Sequence, residues 1–211
     1  MKKAIYCVIT GNYDTLKPIR NCPGFDCICF TDDDTLQVEG WEMRVVPKSD
    51  NPVRQQREIK LLPHKHLPEY DQTIYMDGNI ELIRDPANFM RLFRGRMLTK
   101  QHPKRNCVYQ EGQRCIELGK ADADAIRGQL KSYIDADVPA QDGMWETGVI
   151  IRDKTAEVFC EAWHKALTEG THRDQLAIAK AVHDTKYNPP TFTQAQFAQY
   201  FRITPHKPKK L

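Results

Sequence analysis

The sequence contains no C-x-x-C pair, no long apolar run, no glycine-rich basic loop and no large excess of either charge. Each absence narrows the field. Without C-x-x-C, neither a zinc ribbon nor a thioredoxin-type redox site is supported. No apolar run approaches the roughly 20 residues that cross a bilayer, so no transmembrane segment is expected. A formal net charge of +3 is too small to imply a nucleic-acid partner by itself. No repeat, low-complexity tract or shift in composition marks a domain boundary. The opening "MKKAIYCVITGNYD" has a basic pair and a short apolar run but no small-residue cleavage site. It therefore reads as a first buried strand rather than a signal peptide, and a cytoplasmic setting is expected.

What is present suits one sizeable core: 211 residues, 40% hydrophobic and 28% charged. The seven cysteines are Cys7, Cys22, Cys27, Cys29, Cys107, Cys115 and Cys160. Cys7, Cys27 and Cys29 fall inside apolar runs, where a thiol acts as a small hydrophobe. Reduced thiols are expected, with a Cys22/Cys27/Cys29 metal site as the alternative. The basic end "HKPKK" reads as a solvated tail (206–211) behind a domain spanning 1–205.

Short apolar segments alternate with helical patterns. "KKAIYCVIT" (Lys2 to Thr10) is apolar on both faces, as a central strand is. "DCICFTDD" (Asp26 to Asp33) and "WEMRVVP" (Trp41 to Pro47) read as second and third strands, "QTIYM" (Gln72 to Met76) and "ETGVIIR" (Glu146 to Arg152) as later ones. Helices are predicted over Pro52 to Pro63, with proline near both ends, and over Asp85 to Phe93, opened by Asp85 and Pro86. "AEVFCEAWHKAL" places Val158, Phe159, Ala162, Trp163, Ala166 and Leu167 on one helical face. "THRDQLAIAKAV" begins with a T-x-x-D capping pattern and runs helically. Strands interleaved with helices predict an α/β fold with a mixed, mainly parallel sheet, whose ligands gather at the carboxyl ends of the strands.

Polar groups fall at those ends. In "TIYMDGNIELIRD", Asp77 and Asn79 are two positions apart, so both side chains share one side of an extended segment. Gly78 between them permits close backbone approach. Such oxygen ligands suit Mn²⁺ or Mg²⁺ shared with substrate phosphates; an Asp-Gly hairpin turn is the equal alternative. Arg54, Arg57 and Lys60, spaced by three, occupy one helical arc that could face a diphosphate or simply be solvated. His206 and Lys207 are chemically sensible partners for Asp77, as metal ligand and phosphate contact.

The ordered pieces "ITGNYDTLKP", "CFTDD", "GWEM", "RQQREIKLLPHKHLPEYDQTIYMDGNIEL", "HPKRNCVYQEGQRC", "WETGVIIR" and "HRDQLAI" span nearly the whole chain. Together they resemble the GT-A nucleotide-sugar glycosyltransferases. The nearest likeness is to a hexosyltransferase-like family, long catalogued as a domain of unknown function, that includes plant cell-wall and mucilage enzymes. The glycogenin-like enzymes are more distant. The resemblance implies a single-domain, Rossmann-like GT-A fold. It also implies transfer of a hexose from a nucleoside diphosphate sugar, a UDP-sugar first among them, to a carbohydrate acceptor with a divalent metal.

By the same resemblance Thr10, Gly11, Asn12 and Tyr13, with Asp32 or Asp33, match the loop that holds base and ribose. Arg57 and Lys60 match a positive helix facing diphosphate and sugar. Asp77, Gly78 and Asn79 match the metal-binding D-x-D, with the neutral Asn79 in place of the second acid. His206 corresponds to a late metal-binding histidine, Glu146 to the entrance of the acceptor cleft, and Asp174 and Gln175 to groups near the anomeric carbon. Asp174 has a second reading, as the helix-cap partner of Thr171. Two rival classes remain: a nucleotidyltransferase, which would favour a glycine-rich basic first loop, and a non-catalytic nucleotide-sugar or carbohydrate-binding protein.

Overall fold

Strand β1 (Lys3–Ile9) is buried from Ala4 onward, and its alternating side chains feed two separate cores. Ala4, Tyr6 and Val8 pack on one face of the sheet, Ile5, Cys7 and Ile9 on the other. A strand apolar on both faces gains burial only in the middle of a covered sheet, and β1 lies there. The computed structural model describes residues 1–207; the tail residues 208–211 lie outside the described residues.

The sheet also contains β2 (Asp26–Thr31), β3 (Glu42–Val45), β4 (Gln72–Met76), β6 (Met97–Gln101), β7 (Trp145–Asp153) and β8 (Thr191–Phe192). Its order is β3-β2-β1-β4-β7-β6-β8. Strands β3, β2, β1 and β4 are mutually parallel; β7 runs antiparallel to both of its neighbours, and β8 is parallel to β6. The expected α/β, Rossmann-like mixed sheet is present. The carboxyl ends of β1, β2, β4 and β6 and the amino end of β7 therefore meet along one edge.

Helices α1 (Pro52–Leu61), α5 (Glu157–Glu169) and α6 (Asp174–Thr185) cover the Tyr6 face, burying Ile59, Leu61, Phe159, Trp163, Ala177 and Ile178. Helix α1 starts where Asn51 accepts from the Arg54 amide and Pro52 takes the first position. It stops before Pro63, which opens the single turn α2 (Pro63–His66). Helices α3 (Val108–Glu117) and α4 (Ala123–Asp135) form a third core against α6 through Val108, Cys115, Ile126, Tyr133 and Leu176. The opposite face is closed by loops, by Phe89 and Trp41, and by α7 (Gln194–Tyr200).

Four expectations change on inspection. Asp77-Gly78-Asn79 is a tight turn, with the Ile80 amide donating to the Asp77 carbonyl, but it makes no hairpin. Strand β5 (Ile80–Leu82) leaves β4 and pairs with β9 (Phe201–Ile203) in a separate two-stranded sheet. The segment from Asp85 to Phe93 holds only a short 3₁₀ turn at Phe89–Leu92. A helical nucleus is costly, and so short a segment offers too few propagating residues to repay it. Thr171 does not cap α6; its hydroxyl and amide donate instead to Gln129 Oε1 at 2.8 and 3.1 Å. Val158 is 75% exposed, because the buried stripe of α5 is centred on Phe159, Cys160 and Trp163.

Candidate functional site

Asp77 sits at the carboxyl end of β4, with its amide donating to the Gly148 carbonyl of β7. Its Oδ1 accepts from Tyr75 OH at 2.7 Å and lies 3.2 Å from Lys60 Nζ. Lys60 comes from the last turn of α1 and is 1% exposed. Its ammonium also meets Asp174 Oδ2 at 2.7 Å and Thr147 Oγ1 at 3.4 Å. Thr147 donates to Asp174 at 2.9 Å, and Arg57 approaches the other Asp174 oxygen at 3.8 Å. One lysine thus bridges two acids contributed by different elements.

Burial alone would raise the pKa of Asp174, but Arg57 and Lys60 reverse this and hold its carboxyl well below the usual range. Burial, with Asp77 beside it, pushes the Tyr75 phenol well up, so it stays protonated and donates. Desolvation works against the Arg57 cation; Asp174 and Asp77 outweigh it and raise its pKa. The Arg54, Arg57, Lys60 arc is therefore graded rather than uniformly solvated. Arg54 is exposed, Arg57 is partly buried, and Lys60 is wholly enclosed.

The loop after β1 closes over α1. Thr10 Oγ1 donates to the Pro52 carbonyl at 2.8 Å, and the Gly11 amide donates to Asp32 at 2.9 Å. Gly11 has φ +62°, and a Cβ there would lie 2.8 Å from the Pro52 ring, so glycine is required on both counts. Asn12 also takes a left-handed conformation, and Tyr13 is 57% exposed. Asp33 turns away to Thr35.

The described part of the basic tail returns to this loop. Lys207 Nζ donates to Asn12 Oδ1 at 2.7 Å, and His206 Nδ1 lies 3.0 Å from Asp14 Oδ1. His206 Nε2 faces Asn79 Nδ2 at 3.4 Å, and the Thr204 amide donates to the Asn79 carbonyl at 2.7 Å. The structure thus brings Asn79, His206 and the Asn12–Tyr13 loop together at the site edge. Gln175 bonds the Trp145 carbonyl at 3.4 Å. Glu146 stands apart from the Lys60 cluster, its carboxylate paired with Lys100 across β7 and β6.

Among the described residues, no three His, Cys, Asp or Glu side chains form a group able to hold a metal ion, and Cys22, Cys27 and Cys29 make no such site. The donor set at the turn is mixed, with one carboxylate (Asp77), one amide (Asn79) and one imidazole (His206). It fits a Mn²⁺-type ion that takes its remaining ligands from a substrate.

Residues 30–206 match the family model described as TOD1/MUCI70, glycosyltransferase-like domain. The chain belongs to this family. A probable hexosyltransferase, MUCI70 of Arabidopsis thaliana, is 28% identical over 164 residues, covering 70% of this chain. The chain spans only 28% of that relative's length. The matched TOD1/MUCI70 region contains Asp32, Lys60, Asp77, Asn79, Glu146, Asp174 and His206, but begins after the Thr10–Asp14 loop.

Several site residues escape a reading by motif. Tyr75 was legible in principle, two positions before Asp77 and so on the same side of β4. Thr147, Lys100 and Gly148 come from pairings between distant strands. Asp14 contacts a residue 192 positions away. No local pattern announces these.

Proposed function

We propose that this domain has the GT-A type of glycosyltransferase fold and transfers a hexose from a nucleoside diphosphate sugar, a UDP-sugar first among them, to a carbohydrate hydroxyl. The observation that carries the reading is Asp77 at the end of β4, paired with Lys60 and opening the turn whose Asn79 meets His206, within a glycosyltransferase-like family. The bond from the anomeric carbon to the diphosphate breaks, a bond to the acceptor oxygen forms, and the acceptor proton passes to a base.

The charges divide the roles. Lys60 is already matched by Asp77 and Asp174, so it organises the two acids and contributes little free charge to a phosphate. Among the described residues, Arg57 and Lys207 are cationic side chains placed to meet the diphosphate, with the Thr10–Tyr13 loop and Asp32 around the base and ribose. Mn²⁺ or Mg²⁺ held by Asp77, Asn79 and His206 would supply the charge that offsets the leaving diphosphate. Asp174, clamped by Lys60 and Arg57, is too weak a base to take the acceptor proton; it positions Lys60 and Arg57 instead. Glu146, at the accessible edge, is the carboxylate suited to that proton. Gln175 lies beside it through Trp145 and would hydrogen-bond the sugar.

Calorimetry with UDP, with and without Mn²⁺, tests the donor site, and a panel of nucleotide sugars assayed for hydrolysis tests the chemistry. Metal-dependent UDP binding with hydrolysis of one donor is the expected result. UDP binding without turnover of any donor would favour a silent binding module, and turnover of a nucleoside triphosphate would favour a nucleotidyltransferase.

A further inference from the structure

We infer that Asp14 is a positioning residue, fixing the imidazole of His206 so that its Nε2 presents a lone pair to the Asp77-Gly78-Asn79 turn. This rests on the metal-assisted reading above and adds to it a residue outside the family-matched region. Asp14 is 8% exposed, and both of its carboxylate oxygens reach His206 Nδ1, at 3.0 and 3.1 Å. A carboxylate only accepts, so Nδ1 must carry the proton. On the other side of the ring the Asn79 Nδ2 group, which only donates, faces Nε2 at 3.4 Å, so that nitrogen presents its lone pair to the turn. A carboxylate behind a histidine is the arrangement that sets tautomer and orientation in metal-binding imidazoles and makes them more basic ligands.

Further contacts tie the Asp14 loop and the His206 ring to the turn. A Cβ on Gly78 would lie 3.1 Å from Asp14 Cβ and 2.3 Å from Ile9 Cδ1, so glycine at 78 lets the Asp14 loop close on Asp77 and Asn79. The Lys207 amide adds a long contact of 3.4 Å to Asp14 Oδ1, aligning the chain that carries His206. The Lys207 ammonium goes to Asn12 instead, which leaves both Asp14 oxygens on the imidazole. Tyr13 packs edge-on against the same ring at 5.7 Å and restricts its rotation.

The test uses the full chain and reads Mn²⁺ directly, by electron paramagnetic resonance titration in saturating UDP. Asp14→Asn keeps shape and removes the charge. It is expected to weaken Mn²⁺ about 10- to 100-fold, the range for loss of an outer-shell partner, with thermal unfolding little changed. On a His206→Ala background the same substitution should have no further effect. Long-range ¹H–¹⁵N spectra should show His206 protonated on Nδ1 in the native chain, with Asp14→Ala losing that preference. Unchanged Mn²⁺ affinity in Asp14→Asn, or an equal loss without His206, overturns the role of Asp14 while leaving the metal reading intact. A native chain that binds no Mn²⁺ with UDP overturns both.

Discussion

Lys60 Nζ and Asp174 Oδ2 lie 2.7 Å apart, with 1% and 4% of their side chains exposed. The pair joins the last turn of α1 to the first residue of α6, and it sits directly behind Asp77. Removing one member of a buried ion pair leaves the other charge without compensation. Lys60→Met should therefore cost about 3–5 kcal/mol of unfolding free energy, read as a lower urea midpoint. A midpoint within experimental error of the native chain would show that the pair is not enclosed.

Asp174 makes a pH prediction whose sign is fixed. Its folded pKa is depressed below the ordinary carboxylate value, so its stabilising contribution is fully present above about pH 4. It fades as pH falls below the unfolded pKa toward the folded one. The gap in unfolding midpoint between the native chain and Asp174→Asn should be constant from about pH 8 to 5 and narrow below about pH 4. A gap that widens on acidification contradicts the assignment.

Asp77 carries the proposed chemistry and is one-third exposed at its side chain, so its loss should separate function from folding. Asp77→Ala should reduce metal-dependent donor hydrolysis by about 100-fold or more. Its effect on stability should be smaller than that of Lys60→Met, since Asp174 still compensates the lysine. Unchanged Mn²⁺-dependent hydrolysis would remove Asp77 from the metal site.

Gly148 tests the packing behind Asp77. A Cβ there would lie 2.9 Å from Ile80 Cδ1 and 3.2 Å from Asp77 Oδ2. Gly148→Ala should cost about 1–3 kcal/mol through overpacking and should weaken Mn²⁺ binding by displacing the carboxylate. Denaturant titration and the Mn²⁺ titration read the two effects separately, and native values in both would show that the turn yields freely.

Gln129 is the buried hub that replaces the expected Thr171 cap. It accepts from Thr171 twice and donates to Tyr133 OH at 2.8 Å. Gln129→Leu leaves those donors unpaired and should cost about 1–3 kcal/mol. Thr171→Asp, a better capping residue by type, should destabilise rather than help, because Thr171 caps nothing; a rise in melting temperature would restore the capping role.

Much of the sheet was legible locally because its signal is local. A strand apolar at every position, as in β1, can only be covered on both faces, and a segment like "QTIYM" that ends in Asp-Gly must stop there. Local pattern also placed α1, with proline at its first position and proline past its end, and the main run of α6. It left α3 and α4 unread, since their burial comes from packing on each other and on α6, with the polar Gln129 on the buried face. It could not decide between a hairpin and a strand end at Asp77-Gly78-Asn79, because the choice depends on the partner of β5. That partner is β9, more than 120 residues away in the chain.

The sequence by itself determined the layer architecture, the strand-end position of Asp77 and the supply of cations on α1, all consequences of period and residue type within a few turns of chain. Tertiary structure alone decided that Lys60 bridges Asp77 and Asp174, that Asp174 is locked as an ion rather than capped to Thr171, and that Asp14 reaches His206. Those are contacts between elements, and their energies depend on the burial and charge that only the assembled fold supplies.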